Sequence, residues 1–228
     1  MNGNRHPQRG VPLIVLAAAL AFASGAMDIA AFTHLGQVFC SVMTGNLVLL
    51  GLATAHASGD MAVHTAVAFA GYIAGAALGS RIGGRTPRKD VLWPAPVTAT
   101  LVVELLAFAG FTVGWELTGN HPAGAWQLGV LAVAALAMGL QSAAMRNVGT
   151  TLSTTYLTGT LTSAVDSLVT HKQPRRRNSL NVTVLVALAA GAAAGGALLA
   201  ALPAAFPILP MSALAGVVTM ATTLGARQ

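Results

Sequence analysis

The pentapeptide Met43-Thr44-Gly45-Asn46-Leu47 has a second, degenerate copy in the chain, Leu157-Thr158-Gly159-Thr160-Leu161. The two copies lie 114 residues apart, which is half of the 228-residue chain. The match continues upstream without a gap, so that Gly25 corresponds to Gly139. Because an internal repeat of this length indicates a duplicated structural unit, the sequence predicts two structurally related halves.

Composition places the chain in a membrane. Hydrophobic residues make up 55% of the sequence and charged residues only 8%, whereas a soluble domain carries roughly 25% charged residues. The apolar runs reach the length of about 20 residues that a bilayer requires. The sequence therefore predicts an all-α polytopic membrane protein. We expect a polar tail, 1–10, and a single membrane domain, 11–228, with half-repeats at about 11–114 and 125–228.

The first apolar segment could also be interpreted as a cleavable leader, because a basic start precedes an apolar stretch. Residues 11–32 align, however, with the interior segment 125–145. We therefore expect the first helix to belong to the repeat and to be retained.

The positions of the cationic residues decide between two topologies. If all eight apolar segments crossed the membrane, the basic loops 83–90 and 171–179 would lie on opposite sides, against the positive-inside tendency. If the two Thr-Gly segments do not cross fully, both loops and the N-terminus lie in the cytoplasm, and the cation-free loop 114–124 lies outside. We therefore predict six spanning helices and two broken or re-entrant Thr-Gly segments.

The number of spans has a consequence for orientation. Three spans per half is an odd number, so the two halves are predicted to be inverted relative to each other. Inverted repeats with interrupted helices are typical of transporters. The first functional hypothesis is therefore a small permease or channel-like transporter of a small solute or ion.

Two ionisable residues are predicted to lie within the membrane, Asp28 and Glu104. Each costs roughly 2.5–3.5 kcal/mol at a helix centre, so a functional role is the default hypothesis. The alternatives are that Asp28 caps a turn near a helix end, and that Glu104 is protonated against a neighbouring helix.

Polar residues of the two Thr-Gly segments, together with nearby groups, are the candidates for a solute-binding site. The alternative is that they satisfy backbone groups that a broken helix leaves unpaired. The candidate residues are Asp28, Thr44, Gly45, Asn46, Gln141, Thr158, Gly159 and Thr160.

Regularly spaced glycines favour close helix packing, because small residues let two backbones approach. The glycines with this spacing are Gly71, Gly75, Gly79, Gly191 and Gly195. They also support a second functional hypothesis, a non-transporting assembly or sensor protein that binds a partner through these faces. A homo-oligomer formed in this way is one form of that hypothesis.

Several classes of function are not expected. The single cysteine excludes an internal disulfide and a Cys-rich metal site, and the histidines lack metal-ligand spacing. No nucleophile-elbow sequence or phosphate-binding loop occurs. The cations lie in short loops, where they set topology and contact anionic lipid rather than nucleic acid. We therefore predict no enzymatic activity, no metal, no cofactor and no nucleic-acid partner. The partners expected are the lipid bilayer, a small solute or ion, and further copies of the chain in a homo-oligomer.

Four motifs resemble those of the YoaK-like family of bacterial inner-membrane proteins. They are Gly25-Ala26-Met27-Asp28, the run Phe39-Cys40-Ser41-Val42-Met43-Thr44-Gly45-Asn46, Gly139-Leu140-Gln141 and Thr158-Gly159-Thr160-Leu161. The resemblance implies a location in the bacterial plasma (inner) membrane and supplies no substrate or catalytic residue. Family members typically have Gln-Asn where this chain has Gln141-Ser142, so a second amide is not required at that position here.

The topology leads to a direct prediction. In a Cys40-free protein, cysteines introduced by Arg88→Cys and Arg176→Cys should both be inaccessible to a membrane-impermeant maleimide in intact cells and accessible after lysis. Labelling of either cysteine in intact cells would contradict the six-span topology.

Overall fold

The computed structural model describes residues 11–84, 93–148, 159, 161–162, 165–166 and 175–225. Within these ranges the regular structure is entirely helical, which confirms the predicted all-α class. The helices are α1 (Val11–His34), α2 (Met43–Ala55), α3 (Gly59–Gly83), α4 (Ala95–Leu117), α5 (Gly124–Asn147), α6 (Arg175–Ala201) and α7 (Ile208–Gly225), with a 3₁₀ turn at Pro203–Ala205 before α7.

Six of the helices described are long and apolar enough to cross a membrane, as the sequence predicts. Their spanning segments contain 21 to 25 residues. Helix α2 is apolar but has only 13 residues, a length of about 20 Å at 1.5 Å per residue. It is too short to cross a hydrocarbon core of about 30 Å. The first Thr-Gly segment therefore does not form a full span.

The boundaries of α4 differ from 91–113, the apolar segment that lies between the basic loop predicted at 83–90 and the loop predicted at 114–124. The helix begins at Ala95, because Pro94 has an extended conformation (φ −66°, ψ 139°). It continues one turn further than predicted, to Leu117. That last turn buries Trp115, whose ring centroid lies 5.7 Å from Phe111 and 5.6 Å from Phe206. Aromatic burial accounts for the longer helix, and the loop predicted at 114–124 is correspondingly shorter.

The basic segments fall partly outside the described residues. Residues 85–92 lie outside them, and α6 already begins at Arg175, within the loop predicted at 171–179. The last five residues of that predicted loop, 175–179, are therefore helical. This needs no change in the predicted number of spans.

Two helix pairs pack at backbone distance, and glycines make this approach possible. In the α3–α5 pair, a Cβ added at Gly75 would overlap the Leu136 carbonyl oxygen, and one at Gly139 would overlap the Tyr72 carbonyl oxygen. Gly71 and Gly79 also face α5. Small residues at such contacts give close van der Waals packing, which matters in a bilayer because lipid removes the hydrophobic drive for helix association.

The α1–α6 pair is built in the same way. A Cβ at Gly25 would overlap the Leu188 carbonyl oxygen, and one at Gly191 would overlap the Phe22 carbonyl oxygen. Gly195 faces Ala26 at the same interface. All five glycines that the sequence singles out for packing therefore face another helix of the same chain.

The close packing predicts a site-specific loss of stability. Gly139→Ala should destabilise the protein by about 1–3 kcal/mol, because the α3 backbone must move to accept the methyl group. Gly129→Ala is the matched control on α5, since no atom lies within 4 Å of its Cβ position. The control should be neutral or slightly stabilising.

Thermal unfolding of the two variants in detergent measures the difference. Equal melting temperatures for Gly139→Ala and Gly129→Ala would contradict the described α3–α5 contact.

Candidate functional site

The chain breaks between α1 and α2, immediately upstream of the first Thr-Gly motif. Gly36 and Gln37 have φ values of 96° and 59° there. Gly36 also packs against the His64 ring, where a Cβ would overlap the imidazole. Gly45, in contrast, lies in the first turn of α2, and its Cβ position is 3.2 Å from the Phe39 ring. The break that the sequence predicts at the first Thr-Gly segment therefore occurs at Gly36, upstream of the motif, and Gly45 provides space for an aromatic ring.

Asp28 anchors the segment that follows this turn. Its Oδ1 atom accepts hydrogen bonds from the backbone N–H groups of Cys40 at 3.0 Å and Ser41 at 2.8 Å, and from the Cys40 thiol at 3.4 Å. Its Oδ2 atom accepts the Ser41 hydroxyl. Asp28 is buried, and these bonds supply the partners that a buried carboxylate requires. Asp28 thus has the contacts expected of a loop anchor.

Asn46 holds the same segment from the other side. The Phe39 backbone N–H donates to its Oδ1 atom at 2.9 Å, and its Nδ2 atom donates to the Phe39 carbonyl oxygen at 2.6 Å. Asn46 is fully buried, whereas Thr44 is exposed. The structure thus brings Asp28 and Asn46 together on one backbone segment, and it leaves Thr44 outside this cluster.

The backbone at Cys40 and Ser41 lies closer to the middle of the molecule than the end of α1 does. Asp28 precedes His34, the last residue of α1, by six residues, or about 9 Å along the helix. Since Ser41 contacts Asp28, α2 begins at that depth. It ends beside the start of α3, which lies at the same end of the molecule as His34, because Gln127 bridges His34 and His64 there. The chain from residue 35 to residue 55 thus runs from the end of α1 towards the level of Asp28 and back to the same end, and we call it the re-entrant segment.

Gln141 joins α5 to α1 in the core. Its Nε2 atom donates to the Ser24 hydroxyl oxygen at 2.7 Å, and that hydroxyl donates to the Leu20 carbonyl oxygen at 3.0 Å. Both side chains are fully buried. The Oε1 atom of Gln141 has no hydrogen-bond partner. Ser24 lies one helical turn from Asp28 and on the same face, so the two polar sites are adjacent along α1.

Glu104 is the most isolated polar group of the spanning helices described. Both carboxyl oxygens are buried and without a hydrogen-bond partner. Glu104 lies about 13 Å from the start of α4 and about 20 Å from its end. Its neighbours along the buried face of α4 are apolar or self-satisfied: Val97, Thr100, Leu101, Phe108, Phe111 and Trp115.

The packing of α4 against α5 fixes the level of Glu104. Val130 of α5 faces Gly114, and Val133 faces Gly110. Continuing this antiparallel register places Glu104 at the level of residues 139–140. The unpartnered carboxyl group therefore lies within about two residues, or about 3 Å along the helix, of the level of Gln141.

These residues form what we call the polar strip, a series of buried polar side chains on α4, α5, α1 and the re-entrant segment. Sequence reasoning identified Asp28, Glu104 and Gln141 but missed Ser24 and Ser41 as members. A serine within an apolar helix is only weak evidence for a functional site, since its hydroxyl commonly bonds the backbone of its own helix. The members of the polar strip are Glu104, Gln141, Ser24, Asp28 and Ser41.

A second polar group, at the end of the molecule that contains His34, was also missed. The ring centroids of His34 and His121 are 6.2 Å apart, and those of His34 and Trp115 are 5.5 Å apart. Gln127 donates to the His34 carbonyl oxygen at 2.8 Å. These residues come from different helices and a loop, so no local spacing could reveal them. Among the described residues no group of His, Cys, Asp and Glu could hold a metal ion.

The second Thr-Gly motif is covered only in part. Gly159 is helical and exposed. Thr158 and Thr160 lie outside the described residues, so the second half of the predicted solute site stays a prediction.

The Asp28 anchor makes Cys40 a reporter of loop structure. Burial and the neighbouring Asp28 carboxylate raise the pKa of the Cys40 thiol well above its ordinary value. Because the thiolate is the reactive form, Cys40 should react slowly with N-ethylmaleimide at neutral pH.

Asp28→Ala should increase that rate by at least about tenfold, since hydrogen bonds to a charged group contribute about 1.5–3 kcal/mol each. Asp60→Ala, at an exposed aspartate in the first turn of α3, is the matched control and should leave the rate unchanged. Mass spectrometry of protein labelled in membranes measures both rates. Unchanged labelling of Asp28→Ala would show that Asp28 does not hold the segment.

Comparison with known proteins gives the family of the chain. Residues 16–221 match the family described as "Protein of unknown function (DUF1275)". The chain is also 30% identical over 157 residues to the UPF0700 transmembrane protein YoaK of Bacillus subtilis (strain 168), an alignment that covers 67% of this chain and 66% of that protein. No solved structure matches the chain significantly. The family match includes all six apolar helices in whole or in large part, together with every member of the polar strip, and the chain therefore belongs to the DUF1275 family of membrane proteins.

Proposed function

We propose that this multi-pass membrane protein is a small permease that moves a small solute or ion along the polar strip. The observation that carries the proposal is the pair of unpartnered acceptors in the core, the Glu104 carboxyl group and Gln141 Oε1. Ionisable and polar groups inside a membrane are costly to maintain, and they commonly mark solute or ion pathways. A protein with only a packing role would gain stability from apolar residues at these positions.

The course of the polar strip supports the same function. It extends from the re-entrant segment, through Asp28 and Ser24 on α1, to Gln141 and Glu104. Asp28 and Ser41 satisfy each other, so the outer part of the strip is a fixed structure. The solute-responsive part is then the inner one, where acceptors lack donors. This division moves the proposed contact with solute from Asp28, as the sequence suggested, to Gln141 and Glu104.

Inverted halves remain part of the proposal, and the glycine contacts support them. Gly25 meets Leu188 and Ala192, while Gly139 meets Tyr72 and Ala76. Gly75 meets Leu136, and Gly191 meets Phe22. The contacts of the α1–α6 pair correspond one by one to those of the α5–α3 pair when α1 is aligned with α5 and α6 with α3. The offset is 114 residues for the first helices and 116 for the second, so each half contributes its first helix to the second helix of the other half.

The alternative of an assembly or sensor protein has less support. It required glycine faces open to a partner, and the five glycines named above face helices of the same chain. The location we propose is the plasma membrane, with the N-terminus and the basic segments in the cytoplasm.

Transport by reconstituted protein tests the proposal. Proteoliposomes containing the full chain should take up at least one member of a panel of radiolabelled small cations, amino acids and carboxylic acids faster than protein-free vesicles. Gln141→Leu should reduce that uptake by roughly tenfold, the effect of losing one hydrogen bond of about 1.4 kcal/mol to the solute.

Thr219→Val is the control, because Thr219 is exposed on α7 and bonds only its own helix at Ala215. Its uptake should equal that of the wild type. A full panel without uptake above the protein-free vesicles would refute the permease function.

A further inference from the structure

We infer that Glu104 is a proton-binding site, and that its carboxyl group takes up and releases a proton during transport. The inference rests on the permease proposal and names its coupling ion. It assigns to Glu104 a reversible change of charge, whereas a purely structural acid would be neutral at all times. No bond to carbon forms or breaks, because the proton arrives from water and returns to water.

The carboxyl group of Glu104 is isolated from other polar groups. Glu104 has no exposed surface, and neither oxygen has a hydrogen-bond partner. Two other buried polar side chains, Thr100 of α4 and Thr65 of α3, have hydrogen-bond partners, because their hydroxyl groups donate to carbonyl oxygens one turn earlier. A carboxylate without donors in an apolar interior is strongly unfavourable. The group needs a proton, or a cation, to be stable at that depth.

The described surroundings of Glu104 contain no fixed counter-ion. Helices α5, α7 and α3 pack against α4. Helix α7 contains no charged residue, and Arg146 of α5 is exposed near the end of that helix. Helix α3 contributes Asp60 and His64 near one end, Arg81 near the other, and Tyr72 between them. No cation of these helices therefore lies at the level of Glu104, and a mobile proton is left as the group that neutralises it.

The side-chain oxygen of Gln141 is an acceptor for a protonated Glu104. A protonated carboxyl group donates one hydrogen bond, and Gln141 Oε1 is an acceptor without a donor on the adjacent helix at nearly the same level. Gln141 is itself fixed, because its Nε2 atom already donates to Ser24. A protonated Glu104 can thus satisfy two orphaned groups with one hydrogen bond after a rotamer change. The loss of the proton removes this interaction, which couples protonation to the contact between α4 and α5.

A proton is favoured over a metal cation because the site has too few oxygen ligands. Small hard cations require about six oxygen atoms, whereas the core here offers two from Glu104 and one from Gln141. Three acceptors suffice for one proton.

Carbodiimide modification tests the inference without any knowledge of the solute. Dicyclohexylcarbodiimide is apolar and reacts within a bilayer with protonated carboxyl groups, whose oxygen adds to the carbodiimide carbon while the proton moves to a carbodiimide nitrogen. We expect it to modify Glu104 in the full chain reconstituted in vesicles of phosphatidylethanolamine and phosphatidylglycerol. The rate should fall by at least about tenfold from mildly acidic to mildly alkaline buffer, since a carboxyl group loses its proton as pH rises. Peptide mapping by mass spectrometry identifies the modified residue.

Three results would overturn the inference. The first is no modification of Glu104 at any pH, while Glu116, exposed at the end of α4, reacts with a water-soluble carbodiimide. The second is a Glu104 modification rate that does not change with pH, which is the behaviour of a permanently neutral acid. The third is protection of Glu104 by Na⁺ at constant pH, which would identify a cation site.

The variant Glu104→Gln separates this inference from the permease proposal. The amide is a neutral isostere, so the variant should fold and melt at or above the wild-type temperature. A pH gradient should no longer accelerate its uptake of a transported solute, so the ratio of uptake with the gradient to uptake without it should fall to one. Uptake that keeps this acceleration would refute the proton site and leave the permease standing. Wild-type vesicles without uptake, but with pH-dependent Glu104 modification, would refute the permease and leave the proton site standing.

Discussion

The close approach of helix backbones at glycine is the constraint on which the rest of the structure depends. A bilayer offers no hydrophobic drive for one helix to leave lipid and join another, so packing must come from dense contact. At Gly75 and Gly139, and at Gly25 and Gly191, no side chain separates the paired helices. This contact fixes α5 against α3 and α1 against α6. Two helices of the polar strip, α1 and α5, are therefore each fixed against a partner helix by residues that have no polar chemistry.

The polar strip uses this rigid frame in two different ways. At Asp28 and Asn46 the buried polar atoms are matched to backbone donors and acceptors of the re-entrant segment. Such matching is what irregular backbone requires at membrane depth. At Glu104 and Gln141 the matching is incomplete. Where every buried polar atom has a hydrogen-bond partner, the interactions stabilise the fold. Where an acceptor lacks a donor, a proton or a solute that binds there can lower the free energy by supplying one.

Sequence patterns predicted the part of the site that local chemistry determines. Asp28 and Glu104 were found because a charge in an apolar segment is conspicuous, and Asn46 because it belongs to the repeated motif. Ser24 and His121 were missed, because a serine or histidine acquires meaning only from its neighbours in space. The sequence predicts a chain break at the Thr-Gly motif, yet Gly45 lies within α2 and the positive φ occurs at Gly36. Composition alone cannot tell the glycine that bends a chain from the glycine that makes room for a ring.

The sequence by itself determined the class, the six spans, the incomplete crossing of the first Thr-Gly segment and the family, because hydropathy, segment length and motifs depend only on the order of residues along the chain. The tertiary structure decided which polar groups are satisfied. Asp28 and Ser41 are 13 residues apart and bonded, while Gln141 and Ser24 are 117 residues apart and bonded. Such pairings depend on how α1, α5 and the segment after α1 are arranged in space. Burial without a partner, as at Glu104, is a property of the packed molecule that no one-dimensional pattern contains.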